Sequence, residues 1–286
     1  MRAWPAVVWS VLSFAPCNVA AATVAERDAA DVSPIREGPA TIALRDQAVL
    51  ELPDGYGFVS EEPGARMMEA MGNRVDGRFL GLVLPMADEE RWFVSVEYEP
   101  SGYIEDDDAK DWDAAALLEE LKAGTEAGNE RRRELGIPAM VVTGWAEEPS
   151  YDATAHRLVW SAEAGSPDAP AEDPTINYNT YLLGREGYVS MNLVTSVSLV
   201  DAHKPAAKEL LAALSFNEGK RYRDFDASTD RVAAYGLAAL IGGVAAKKIG
   251  LFAVLAAFFV KFAKVIILGL TVLLAIVAKL MRRNRA

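Results

Sequence analysis

From Val232 to Ala286 the chain carries eight basic side chains and no acidic one, and the residues between them are almost all apolar. A tail of that kind is stable only against lipid or inside a core, so it limits the possible folds more than any other feature. It falls into three blocks, VAAYGLAALIGGVAA (232–246), IGLFAVLAAFFV (249–260) and VIILGLTVLLAIVA (265–278), separated by Lys247 and Lys248 and by Lys261 and Lys264. A helix crossing the hydrocarbon needs about 20 residues, so a span has to take in one of the lysine pairs. Near a helix end a lysine can carry its ammonium to the interface, whereas at the bilayer centre it costs about 2.5 to 3.5 kcal/mol. A transmembrane helix from Phe262 to Met281 keeps its lysines near the ends, and Lys279, Arg282, Arg283 and Arg285 favour a cytoplasmic C-terminus. Blocks one and two then form an amphipathic helix at the membrane surface or packed on the anchor, with Ala239, Gly242, Gly243 and Ala246 allowing close helix contact. The rival arrangement is a hairpin of two spans turning at Lys247 and Lys248. A buried soluble helix pair is disfavoured, because 232–278 offers no polar face of ordinary width.

The other end reads as a signal peptide over residues 1–22. Arg2 supplies the positive start, residues 3–15 an apolar stretch, and Val19-Ala20-Ala21-Ala22 the small residues of a cleavage site. Cys17 follows Pro16, where a lipoprotein signal would have a small residue, so lipidation is not expected. Cleavage after Ala20 or Ala22 removes the single cysteine, leaving an exported domain that cannot use disulfides. The first 231 residues hold 21 basic side chains against all 41 acidic ones. Such a body is unsuited to phosphate backbones, and no nucleic-acid partner is expected.

Residues 23–38, with Pro34, read as a linker, 39–225 as the exported domain and 226–286 as the membrane-anchoring tail. Within the domain, TIALRDQAVLELPDGYGFVS predicts a hairpin of two or three strands, with a turn at Pro53-Asp54-Gly55. PGARMMEAMG (63–72) predicts a short helix, and 78–85 and 91–100 predict strands. In the second of these, Trp92, Val94, Val96 and Tyr98 alternate with Phe93, Ser95 and Glu97, so one face is buried. The main helix follows, capped by Asp111 or Asp113, closed by Arg131, Arg132 and Arg133 and stopped by Gly136 and Pro138. Strands at 140–149, 156–163, 176–184 and 188–196 come next, with a turn at 184–187 and an acidic insert at 164–174. A helix over 203–216 ends the domain, with Leu210, Leu211 and Leu214 facing inward. The fold class is therefore α+β, an antiparallel sheet covered by helices and followed by C-terminal transmembrane or amphipathic helices.

Few residues offer chemistry. With His156 and His203 the only histidines, a Ser/His/Asp or Cys/His nucleophile and a histidine-rich metal site are nearly excluded, and both read as structural or surface residues. G-x-S-x-G and G-x-G-x-x-G are absent, and Gly219-Lys220 runs into Arg221. The run Glu105, Asp106, Asp107, Asp108, Asp111 and Asp113 has the oxygens for a hard cation but neither the glycine nor the final glutamate of an EF-hand, and a solvated helix start explains it better. Asn177, Asn179 and Asn192, with Tyr178, Tyr181 and Tyr188, sit on neighbouring strands where they either line a polar cleft or simply follow the alternation. No catalytic, cofactor-binding or metal-binding residue is assigned.

The runs GPATIALRDQAVLELPDGYGFV, VTGWAEEPSYDATAHRLVWS, INYNTYLLGREGYVSMNLV and LSFNEGKRYRDFDASTDRVAAYGLAALIGGVAAKKIGLFA resemble the uncharacterised bacterial membrane proteins grouped as domain of unknown function 2167, over about residues 38 to 265. That resemblance implies an exported domain held by a C-terminal hydrophobic region and carries no activity with it. The order of sheet and helices also resembles the small domains of the photosystem accessory proteins. The expectation is a non-enzymatic module on the periplasmic side of the inner membrane, bound to lipid through its tail and able to bind an envelope protein or a cation or to form homo-oligomers. The alternatives are an envelope hydrolase using carboxylates or a carboxylate-bound metal, favoured by a cleft with two acids of raised pKa, and an accessory subunit of a transporter, favoured if Lys247 and Lys248 lie at mid-bilayer.

Overall fold

The computed structural model describes residues 34–167 and 173–242. The expected signal peptide, most of the expected linker, the centre of the acidic insert and the tail beyond Gly242 lie outside the described residues.

Alternating apolar positions make most of the domain β structure, and the strands close into two antiparallel sheets. The larger has eight strands in the order β1 (Ile35–Glu37), β4 (Tyr56–Ser60), β5 (Phe79–Pro85), β6 (Phe93–Glu99), β10 (Tyr188–Ser196), β9 (Thr175–Leu183), β8 (Arg157–Gly165) and β7 (Val141–Asp152). The smaller has β11 (Leu214–Phe216), β3 (Ala48–Leu52) and β2 (Ala40–Leu44). Among the described residues four α-helices complete the fold: α1 (Glu61–Ala70), α2 (Ala114–Glu134), α3 (Val200–Ala213) and the single turn α4 (Ala239–Gly242).

The period-two alternation decides which layer each face meets. Val94, Val96 and Tyr98 of β6 and Trp92 just before it point, with Val189, Met191 and Leu193 of β10, to the face covered by α3 and the small sheet. Leu210 and Leu211 of α3 fill that layer between Leu50 and Leu52 on one side and the large sheet on the other. On the opposite face α1 covers the β4–β5 side through Met68, against Val59, Phe79 and Leu82. At the other side α2 and α4 cover β7 and β8, where Leu117, Leu240 and Ile241 meet Leu158 and Trp160.

The helix signals are realised closely. Asp113 caps α2, its Oδ1 accepting from the Ala115 N–H at 2.8 Å, and Gly136, at φ +69°, ends the helix turn in the left-handed region. The helix expected over 203–216 runs instead from 200 to 213, because Leu214–Phe216 leave it to pair with β3. Ile35–Glu37, expected in the linker, form an edge strand on β4; a strand of three residues with two charges shows no alternation to read. The edge strand β7 is irregular, with three register shifts against β8.

The first apolar block departs most from expectation. Its described residues pack into the domain, where Leu237 and Ile241 are fully buried. Asp108 accepts from the N–H groups of Leu237 (3.2 Å) and Ala238 (3.0 Å), and Gly242 lies close against Glu120 and Gly124 of α2. Residues 226–242, read as the start of the tail, thus complete the body. No helix among the described residues is long and apolar enough to cross a membrane.

A bidentate pair fixes this segment to the β9–β10 turn. Arg185 Nε and Nη2 donate to the Asp230 carboxylate at 2.6 and 2.8 Å, and the Asp230 side chain is 8% exposed. Its hydrogen bonds from Arg185, then from the Asp226 N–H, hold the Asp230 carboxyl well below the usual carboxylate range. A carboxyl whose folded pKa is depressed stabilises the fold above its unfolded value, and that stabilisation is lost as pH falls through the folded value. Asp230→Asn is therefore expected to be less stable than wild type at pH 7, with the gap narrowing steadily below about pH 4. Urea denaturation at several pH values reads this directly; a gap independent of pH would show that the pair contributes nothing through its charge.

Candidate functional site

Between the part of the large sheet covered by α1 and the part covered by α2 and α4 lies a polar stretch, at whose α2 side Trp160, Tyr181 and Tyr188 already pack in the α2–α4 cluster. A row of directly opposed residues crosses four strands there: Ser95 on β6, Asn192 on β10, Asn179 on β9 and Trp160 on β8. Two residues along each strand, a second row places Glu97 opposite Ser190 and Ser190 opposite Tyr181. Asn177 and Tyr188 lie on the same face by the strand period.

The row is unusual in what its polar atoms lack. Ser95 Oγ, Asn192 Oδ1 and Asn177 Oδ1 are buried with no hydrogen-bond partner among the described residues, whereas the Trp160 indole N–H is directed at the Tyr181 hydroxyl oxygen. Ser95 is 5% exposed and Trp160 8%. Each such orphan costs about 1 to 3 kcal/mol, and native proteins keep few of them. Three on one face hold one hydroxyl and two acceptors ready for groups outside this set.

Glu97 beside them is the described acid whose pKa moves up. Burial drives the shift, the Arg78 guanidinium opposes it, and Asp76 and Glu99 add to it. Arg78 is itself engaged, bonding Asp76 at 2.7 Å and Glu99 at 3.0 Å. Burial also raises Tyr181 and Tyr188, so their phenols stay neutral. The second raised carboxyl that would favour a hydrolytic pair is not found among the described residues.

Of the six asparagines and tyrosines picked out in the sequence, the sheet brings five to this face. Tyr178 alone points the other way, fully buried, with its hydroxyl donating to Glu147 at 2.9 Å. Ser95, Glu97 and Trp160 were not picked out. Ser95 and Glu97 belong to the polar phase of the alternation in 91–100, but their neighbours come from the pairing of β6 with β10, far along the chain.

The acidic run disperses into structural roles. Asp106 accepts from the Tyr151 hydroxyl at 2.6 Å, Asp107 pairs with Lys110, Asp108 holds the start of α4 and Asp113 caps α2. No group of three or more metal-ligating side chains occurs among the described residues. His156, expected in a strand, sits in the β7–β8 turn at φ +53°, its ring stacked on Tyr222 at 4.0 Å and its Nδ1 3.1 Å from the Tyr151 hydroxyl. His203, in the first turns of α3, has its Nδ1 2.7 Å from Thr195 Oγ1. Lys247 and Lys248 lie outside the described residues.

Comparison with known proteins places this architecture in a family. The chain matches the family described as Protein of unknown function (DUF2167) over residues 36–271, and it belongs to that family. No curated protein matches it. Among solved structures, the solution structure of cyanobacterial PsbP (CyanoP) from Synechocystis sp. PCC 6803 aligns with 68% of this chain and 99% of its own, at 9% identity and a TM-score of 0.40.

Proposed function

We propose that the protein is a non-enzymatic binding module of the bacterial envelope, held at the inner membrane by a C-terminal transmembrane helix with its domain on the periplasmic side. The signal-peptide pattern and the acid-free tail support the location. The single observation that carries the binding role is the group of unpartnered polar atoms at Ser95, Asn177 and Asn192. Groups that weaken the isolated fold are kept where a partner satisfies them. Their mixture of donors and acceptors, with a largely neutral surround, suits the amide and hydroxyl groups of a partner protein. A tether concentrates such a surface near membrane partners, so modest affinity suffices.

The signature of this role is a trade between stability and binding. Ser95→Ala and Asn192→Leu remove orphaned groups and are each expected to raise unfolding stability by about 1 kcal/mol. Crosslinking in intact membranes followed by pull-down of the full chain should then recover a partner with wild type and lose it with Asn192→Leu. A partner retained by Asn192→Leu, or none with either form, overturns the role of this face. Release of the mature full-length chain into the supernatant after cell breakage and ultracentrifugation, without detergent, overturns the tether.

A further inference from the structure

On the α3 face of the large sheet, away from the polar row, a cavity of about 300 Å3 opens between three elements. The β3–β4 turn contributes Asp54 and Tyr56, the β5–β6 connection Glu90 and Trp92, and α3 the residues Ala202 and His203. The rings form a bent wall: Tyr56 and Trp92 have centroids 5.9 Å apart at 59°, and Trp92 and His203 5.9 Å apart at 44°. The small side chain of Ala202 is part of the lining.

The charges around this wall are of one sign. Asp54 and Glu90 line the cavity, and Glu209 accepts from the Tyr56 hydroxyl at 2.8 Å. None of the three has a lysine or arginine partner among the described residues, and no such side chain lines the cavity. The lysines of α3 are held elsewhere, Lys204 at 2.7 Å from Asp201 and Lys208 at 2.9 Å from Glu147. Burial first, then the Glu209 hydrogen bond and the charges of Glu209 and Glu90, push the Tyr56 phenol far up.

Aromatic faces attract a cation within about 6 Å of the ring centroid, most strongly one that is weakly hydrated. A hard metal ion wants six or more oxygens, which two carboxylates among aromatic rings do not supply. We infer that this cavity binds a small organic ammonium ion, its alkyl groups against Tyr56 and Trp92 and its charge facing Asp54 and Glu90. The acidic body adds long-range attraction for such a ligand.

Isothermal titration of the full chain in nonionic detergent tests this, with choline chloride as probe and sodium chloride as the matched control. Saturable binding of choline is expected. Glu90→Gln should weaken it about tenfold through loss of one facing charge, Asp54→Asn should weaken it in the same direction, and Ala202→Leu should abolish it by filling the cavity. Circular dichroism identifies any variant that fails to fold, and the remaining variants decide. A parallel titration with soluble dihexanoyl phosphatidylcholine separates the sources of the ammonium group. Binding of choline alone supports a free ion, and binding of both supports a lipid headgroup. The inference is overturned by no saturable heat from either, or by choline affinity unchanged in the folded variants.

Discussion

Gly187→Ala is expected to cost the fold about 4 kcal/mol, near the upper end for a single substitution. A Cβ at this position would stand 1.9 Å from the carbonyl oxygen of Glu99 and 2.9 Å from its carbonyl carbon. Both are backbone atoms, so no side chain can turn aside to make room. Relief requires the start of β10 to move off the end of β6, and that movement disturbs several neighbouring bonds. Tyr188 pairs with Glu99 in the register, the Gly184 N–H donates to Gly187 O at 2.8 Å, and the Gly102 N–H donates to Glu186 O at 2.9 Å. Urea denaturation of the variant should show a much lower midpoint. A loss below about 1 kcal/mol would mean that the junction yields without strain, contrary to the packing of interiors.

Leu210→Ala is expected to cost about 3 kcal/mol. Leu210 is fully buried on the helix that fills the layer between the two sheets, with Leu50 and Leu52 in the small sheet and Val189, Met191 and Leu193 in the large one. A sheet on each side resists collapse into the space left by the missing methyl groups, so the cavity term adds to the lost transfer energy. Leu135→Ala is the control: that side chain is 54% exposed after α2, and its removal should change stability by less than about 0.5 kcal/mol. Equal effects of the two substitutions would place α3 outside the cooperative core.

How much of this was legible in the sequence differs by element. Strands such as 91–100 and 188–196 announced themselves through alternation, and α2 through Asp113, its terminal arginines and Gly136, because these signals are local. The pairing of β6 with β10 is not local, and the polar row exists only through that pairing. Asn177, Asn179 and Asn192 could be singled out, but Ser95 and Trp160 could not be attached to them. The same limit applies to Leu237 and Ile241, whose apolar run looks alike whether it meets lipid or the inner side of α2. What separates the two is Asp108, placed far earlier in the chain to hold their backbone N–H groups. The aromatic cavity was invisible for a further reason, since Asp54, Glu90 and His203 each belong to a different connection or helix.

The broken register of β7 bears on how copies of this protein meet. An open sheet offers its outermost strands as templates for further strand addition, and long regular ones invite fibres. One margin here is a strand of only three residues, and the other is interrupted by register shifts and contains Pro149, which has no N–H to donate. Among the described residues, neither margin of the large sheet offers a long regular strand for a neighbouring molecule to extend. At the margins of the large sheet, recognition between copies would then fall to side chains, where sequence can regulate it, and not to the backbone, which every strand shares.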